Sequence, residues 1–529
     1  MLDIILSSGL ILDGTGTPGY ETDIAIDGDR IVRIGDCSGS DASLRIDCAG
    51  LAIAPGFIDM HGHSDEVLLV DPLVDSKIRQ GITTEVGGNC GMSPGPLSPL
   101  DFESRRRRFE RSYGFDLATR DIGGFLDALD AAPCAMNFCC LVGLGETRGA
   151  VGGVADMPLD KSTLARQCDL VKEACGHGAI GVSSGLIYPP GSFADVAELA
   201  ALAAAARDAG SPLYASHIRS EGDELVDAVD EALDVGRRAG VGVQLSHHKA
   251  AGKRNWGKVH DTLAMVDRAV ASGVDVVLDQ YPYKASSTGL DVILPKDVNV
   301  GGAEAVAARL ADPPYRALVA ARVESAYAGR WGDVLVAAVS TPKNKGFEGM
   351  TIEQIAAKTG RPPVGVALDL LVDETFDVAA IYFTMCEDDV RTVLSYARTS
   401  IGSDASARSA AGVTASGKPH PRGFGTFPRI FKRYVRDTRL LTLHEAVRRA
   451  TSLPAQRLGL RRRGTIAMGW FADLVAFDPA TVADTATYED PFRYPDGIAH
   501  VLVNGVTVVR DGRTTGARPG HVLRRGRDL

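Results

Sequence analysis

Short apolar runs alternate with helical stretches through most of this chain, and that alternation restricts the fold more than any other feature. The runs include "GFIDMHG", "TTEVGGNC", "MNFCCLVGLG", "AIGVSSGLIY", "PLYASHIRS", "VGVQLSHHK", "DVVLDQYPY" and "SIGSDAS". Between several of them lie helices such as "DELVDAVDEALDVGRRAG" and "TLAMVDRAVASG". Strands joined through helices lie parallel in one sheet. Eight or so such units over roughly 400 residues fit a (β/α)8 TIM-like barrel with insertions. Two more strand-like runs, "VLVAAVS" and "AAIYFTM", precede the last unit, so the count exceeds eight. The stretch 295–349 is rich in helix and loop. It reads as an insertion covering the active-site end.

The two chain ends have a different texture. "DIILSSGLILDG", "TDIAIDGDRIVRIGD" and "LRIDCAG" at the start, and "DLVAFDP" and "HVLVNGVTVVRDGR" at the finish, are short alternating strands, with Asp-Gly and Gly-Asp pairs supplying turns. Neither set is long enough to make a stable domain alone. They are expected to pair into one small β-sandwich from residues 1–55 and 465–529, around a barrel over 56–464.

Charge and composition exclude several classes. A net charge of −10 argues against nucleic acid as a partner. No apolar stretch is long enough to span a membrane, and the start "MLDIILSSGLILDG" lacks the basic n-region and cleavage site of an export signal. Nine cysteines without a framework spacing read as thiols of a reducing cytoplasm. The expected partner is a small-molecule substrate; a homo-oligomer stays open.

The chemistry lies at the C-terminal ends of the apolar runs, where barrel enzymes carry their active sites. His61 and His63 end the first run and Cys90 follows the second. His217, the pair His247 and His248, and Asp404 end later ones. Residues i and i+2 on a strand share a face, so His61 and His63 are expected to point inward together. A single histidine at a strand end is usually a hydrogen-bonded core residue. Several in serial order, with a cysteine in the tight loop "GGNCGMSPGP", point instead to a metal, because imidazole, thiolate and carboxylate are zinc donors. Alternation allows only one of His247 and His248 to face inward and does not say which. The run "RRRRFERS" reads as a solvated helix face.

With these residues in place, the sequence resembles a known family. "APGFIDMHGHSD" is similar to the first strand of the amidohydrolase superfamily. "GGNCGMSP", "SHIRSEGD", "LSHHK", "DQYPYKASST", "IGSDAS" and "HPRGFGTFPRIF" together resemble the N-acyl-D-amino-acid deacylases, over nearly the whole chain. The resemblance implies zinc held tightly by Cys90, His217 and His247, which selects His247 over His248. It implies a second, weaker metal position lined by His61, His63 and Asp404, with the cysteine standing where other members carry a carboxylated lysine. The implied reaction is hydrolysis of an N-acyl-D-amino acid, with Asp404 moving the proton and Arg422 gripping the α-carboxylate through paired hydrogen bonds. Tyr281, Tyr283, Ser287, Tyr188 and Lys249 are expected around the substrate. Lys284 is a candidate for favouring an acidic side chain. One departure is the stretch "ASARSAAGVTASGKP" after Asp404, which is longer than the resemblance leads one to expect. The competing readings are a cyclic-amide hydrolase of the hydantoinase or dihydroorotase type, against which Cys90 argues, and a non-catalytic barrel scaffold, which has no need for such a ligand set.

Overall fold

The computed structural model describes residues 1–529. Eight short parallel strands form its centre: Phe57–Asp59, Ile82–Gly87, Asn137–Cys140 continuing as Val142–Gly143, Val182–Gly185, Leu213–His217, Gly242–Leu245, Val276–Gln280 and Thr399–Ile401. Each pairs in parallel with the next in this order, through the two halves of the third strand. The ring closes between the last strand and the first. There Met60 N donates to Ile401 O at 3.2 Å, and Asp404 N to His61 O at 2.7 Å. The chain is a (β/α)8 barrel.

The helices pack outside because their apolar residues recur at helical spacing. In Leu225–Ala239 the buried positions are Leu225, Ala228, Val229, Ala232, Leu233, Val235, Gly236 and Ala239, and the helix ends on Gly240 at φ +64°. Gly236 is required: a side chain there would overlap Val243 of the adjacent strand. The resulting core joins barrel and helices in one cluster of 76 buried residues.

Both chain ends contribute to one nine-stranded sheet. Its junction is antiparallel pairing of Ala52–Pro55 with Leu474–Phe477. Ile4, Leu6, Ile24 and Ile53 pack with Leu474 and Leu502 in a separate core, so each end covers apolar surface that the other would leave exposed.

The two supernumerary runs are not barrel strands. Val334–Val339 and Val378–Tyr382 pair antiparallel, and Ser286–Gly289 adds to the same three-stranded sheet. This sheet has its own core of 23 buried residues between Leu290 and Tyr382, well beyond the expected span of 295–349. The discrepancy is physical. The insertion is closed by a pairing between segments some ninety residues apart, Ser286 with Tyr382, which no local pattern announces.

Phe57 joins three parts of the molecule. Its ring is fully buried, stacks on Phe427 and Phe431 at 5.5 and 5.2 Å, and meets Phe477 of the end sheet edge-on at 6.1 Å. Phe57→Ala should cost about 3–5 kcal/mol, the usual loss for a deleted core aromatic. It should therefore lower the denaturant midpoint clearly; an unchanged midpoint would show that the cluster does not tie these elements together.

Candidate active site

The barrel brings the expected metal donors together at one end. Cys90 Sγ lies 3.3 Å from His61 Nε2 and 3.5 Å from His247 Nε2. His247 Nε2 lies 3.0 Å from His217 Nδ1, and Asp404 Oδ1 is 3.1 Å from His63 Nε2 and 3.7 Å from His61 Nε2. Donors on a tetrahedral zinc, with bonds of about 2.0–2.3 Å, sit roughly 3.3–3.6 Å apart. The thiol and the two imidazoles beside it already have that spacing, and the Nε2 atom of buried His217 has no partner within the protein. The donor set fits zinc.

The strand–loop junctions bear a cost for this arrangement. Cys90, His247 and Asp404 have left-handed backbone, at φ +56°, +36° and +50°. Non-glycine residues pay on the order of 1–3 kcal/mol each for such conformations, which persist where surrounding structure enforces them and cluster at functional sites. The first strand ends at Asp59, so His61 and His63 reach the site from the loop beyond it and not as strand neighbours. Gly62 separates them because a side chain there would overlap the Glu85 carboxylate.

Electrostatics favour charged donors. Burial pushes the Cys90 thiol up, but the His61 and His247 rings beside it hold it well below its ordinary value. Burial likewise raises the Asp404 carboxyl, yet Arg422, with Nη1 at 2.8 Å from Oδ2, holds it well below the usual carboxylate range. Burial works against a charged His63 ring, and its contact with Asp404 overrides that, to about 9.

Geometry separates His247 from His248. His248 turns away from the site, with Nε2 2.8 Å from Thr262 Oγ1 on the helix Val259–Ala271, and burial brings it down to about 4. It is the satisfied core histidine that a lone strand-end histidine most often is.

Two carboxylates in direct contact with these rings were not among the expected residues. Asp279 Oδ1 is 3.2 Å from His61 Nδ1 and accepts from His247 N at 2.7 Å. Glu221 Oε1 is 3.0 Å from His247 Nδ1 and also contacts Lys249. Such partners fix ring orientation and tautomer. Both lie in quoted motifs, "DQYPY" and "SHIRSEGD", so the signal was present.

Below the donors, a fully buried Lys77 joins three of the loops. Its Nζ lies 2.8 Å from Asp59 Oδ2, 2.9 Å from Glu85 Oε2, 2.9 Å from Ser403 Oγ and 2.7 Å from Ala405 O. Ser403 and Ala405 flank Asp404, and Glu85 accepts from Ser64, next to His63. The backbone around the donors is therefore anchored to one ammonium.

The donors open into a cavity of about 490 Å3. His63, Cys90, His217, His247, Asp404, Arg422, Tyr188, Ser287 and Lys249 line it. Tyr281 and Tyr283 do not. Tyr281 is buried behind Lys249 and Arg422, with its hydroxyl 3.9 Å from Met385 Sδ, and Tyr283 lies against Arg429. They act as packing under the cations, not as hydroxyl donors into the cavity. Lys284 is exposed and outside it. The basic run also differs from expectation. On the helix Pro99–Tyr113, Arg105 and Arg108 line the cavity, and Arg105 pairs with Glu66 at 2.7 Å and with Glu146 at 2.5 Å. Arg106 and Arg107 remain on its solvated face.

Comparison with known proteins defines the class. A model described as "Amidohydrolase family" matches residues 45–509. The chain is 38% identical to D-aminoacylase of Alcaligenes xylosoxydans xylosoxydans, over 99% of this chain and 98% of that protein. It is 39% identical to N-acyl-D-glutamate deacylase of the same organism, over 99% and 97%. A crystal structure of N-acyl-D-glutamate deacylase from Bordetella bronchiseptica, with zinc and a phosphonate mimic of the tetrahedral intermediate, superposes with a TM-score of 0.83 at 36% identity, covering 99% of each chain. The chain belongs to the amidohydrolase family, in its D-aminoacylase branch.

Replacing Lys77 by Met would leave Asp59 and Glu85 buried without their counter-charge. A loss of about 3–5 kcal/mol is expected, as for other broken buried pairs. Thermal unfolding of the metal-free protein measures it, and a transition within a degree or two of native would show that the network is not a support.

Proposed function

We propose that this chain uses zinc to hydrolyse the amide bond of N-acyl-D-amino acids, releasing a D-amino acid and a carboxylate. The observation that carries the reading is a buried thiolate donor set between imidazoles, facing a cavity that also holds a carboxylate and an arginine. In this reading Cys90, His217 and His247 hold one metal tightly, and His61, His63 and Asp404 line a second, weaker position. The D preference follows the relatives' activities.

Zinc, when bound, supplies a Lewis acid and lowers the pKa of coordinated water towards neutrality. The chain's own residues do the rest. Asp404 takes a proton from the attacking water and returns it to the departing amine nitrogen, which leaves poorly without one. Arg422 grips the α-carboxylate: its guanidinium lines the cavity, with Nη2 donating to Ser287 O at 3.1 Å and Nη1 against Asp404. A substrate carboxylate on Arg422 competes with Asp404 for that guanidinium. Binding thus weakens the pair that suppresses Asp404's basicity, and the base becomes a better proton acceptor when substrate is present. Lys249, on the cavity wall, lies 2.9 Å from His247 Nδ1 and pairs with Glu221. The Tyr188 hydroxyl, 2.8 Å from Thr288 Oγ1, borders the same space.

We assign residues 1–55 and 465–529 to one composite β domain and the remainder to the catalytic barrel. The reaction is placed in the cytoplasm, a reading supported by nine free thiols; no helix is long and apolar enough to cross a membrane. Cyclic-amide hydrolysis is the weaker reading because the carboxylated lysine of that chemistry has no counterpart among the donors, whose place Cys90 takes.

Metal analysis and steady-state kinetics on N-acetyl-D- and N-acetyl-L-amino acids test this. Cys90→Ala should lose most of the tightly held zinc; full retention would remove Cys90 from the ligands. Asp404→Asn should keep the fold and the tight zinc but lose at least ~100-fold in turnover. Near-native turnover would mean that another group moves the proton.

A further inference from the structure

A side pocket of about 130 Å3 adjoins the main cavity and shares Ser287, Asp404, Ser406 and Arg422 with it. One wall is the long segment after Asp404. The other includes Ala337, Ala338 and Ala379 of the inserted sheet. The segment is held in place: Ser409 and Thr414 hydroxyls donate to Asp71 Oδ2 at 2.7 and 2.8 Å, and Lys418 N donates to Ala337 O at 2.6 Å.

Arg408 lines this pocket. Its guanidinium contacts are two long bonds from Nη1, to Thr414 O at 3.2 Å and Ser416 O at 3.3 Å, and no Asp or Glu oxygen lies within ion-pairing distance. Burial depresses its pKa, and no carboxylate opposes that effect. The other buried cations lining the two cavities are paired: Arg105 with Glu66 and Glu146, Lys249 with Glu221, Arg422 with Asp404. Arg108 is solvent-exposed, where water satisfies it. The side pocket's one carboxylate, Asp404, is committed to Arg422 and His63.

A half-buried guanidinium with most donors unused is suited to a carboxylate, which accepts two parallel hydrogen bonds. We propose that the side pocket receives the substrate's side chain and that Arg408 selects side chains ending in a carboxylate. This rests on the reading of the chain as an N-acyl-amino-acid deacylase with the α-carboxylate on Arg422. Given that reading, Arg422 and Asp404 hold the carboxylate and the nitrogen of the Cα centre. The group leaving Cα beside both is the side chain, not the acyl group. The three alanines offer methyl contacts to its methylenes.

The test compares kcat/KM for N-acetyl-D-glutamate and N-acetyl-D-glutamine, which are close in size and differ in charge. The native enzyme should favour the acid by roughly ten- to a hundredfold, the scale of one charge-assisted contact. Arg408→Met should bring the ratio to about one, and Arg408→Lys should restore part of it. Zinc content and circular dichroism establish that each variant is folded, and inhibition of the native enzyme by D-glutamate against D-glutamine reads the same preference without turnover. A native ratio near one, or a native-like ratio in Arg408→Met, overturns the proposal. So does an Arg408 dependence that follows N-succinyl-D-leucine instead, which would put the charge on the acyl side. Hydrolysis of N-acetyl-D-leucine with a flat acid-to-amide ratio defeats this inference alone; hydrolysis of no N-acyl-D-amino acid defeats the proposed function beneath it.

Discussion

A thiol, two imidazoles and a carboxylate lie within 4.8 Å of one another at the end of the barrel, almost wholly removed from water. Unpaired, buried groups of this kind cost several kcal/mol, and the rest of the site is arranged around that cost. Arg422 balances Asp404, Asp279 sits beside His61, and Glu221 sits beside His247. A bound cation would complete the balance, since the Cys90 thiolate lies between the His61 and His247 rings and the His217 Nε2 atom has no partner within the protein.

Holding these groups together requires backbone that would not adopt its conformation unaided. Three donors sit at left-handed φ just beyond their strands. Enforcement comes from below, where Lys77 ties Asp59, Glu85, Ser403 and the carbonyl of Ala405 into one buried knot. The knot spans the seam at which the eighth strand meets the first, so barrel closure and donor placement depend on the same contacts. Buried ion pairs are poor sources of net stability; here the return is positional.

The donors were legible in the sequence because each follows an apolar run, and serial order on a barrel places such positions on one rim. His247 and His248 were separable only in three dimensions, where Thr262 provides His248 with a partner. Asp59, Lys77 and Glu85 carry no sequence signal, because single charges inside or beside apolar runs look like interruptions and their mutual contact spans separate segments. Tyr281 and Tyr283 fell on the far side of the cations because a motif fixes proximity without fixing the direction of a side chain. Arg105 and Arg108 show the converse: the polar face of a helix faces solvent or a polar cavity with the same periodicity. The inserted sheet escaped delimitation because its closing strand pair is non-local.

The proposed mechanism depends on a cysteine thiolate, Cys90, among the ligands of the tight metal. Zinc K-edge X-ray absorption of the zinc-loaded protein tests it most directly, because sulfur and nitrogen scatter at distinguishable distances. The expected shell has one sulfur at about 2.3 Å with nitrogen or oxygen donors at about 2.0–2.2 Å. A shell of nitrogen and oxygen alone would contradict the assignment of Cys90.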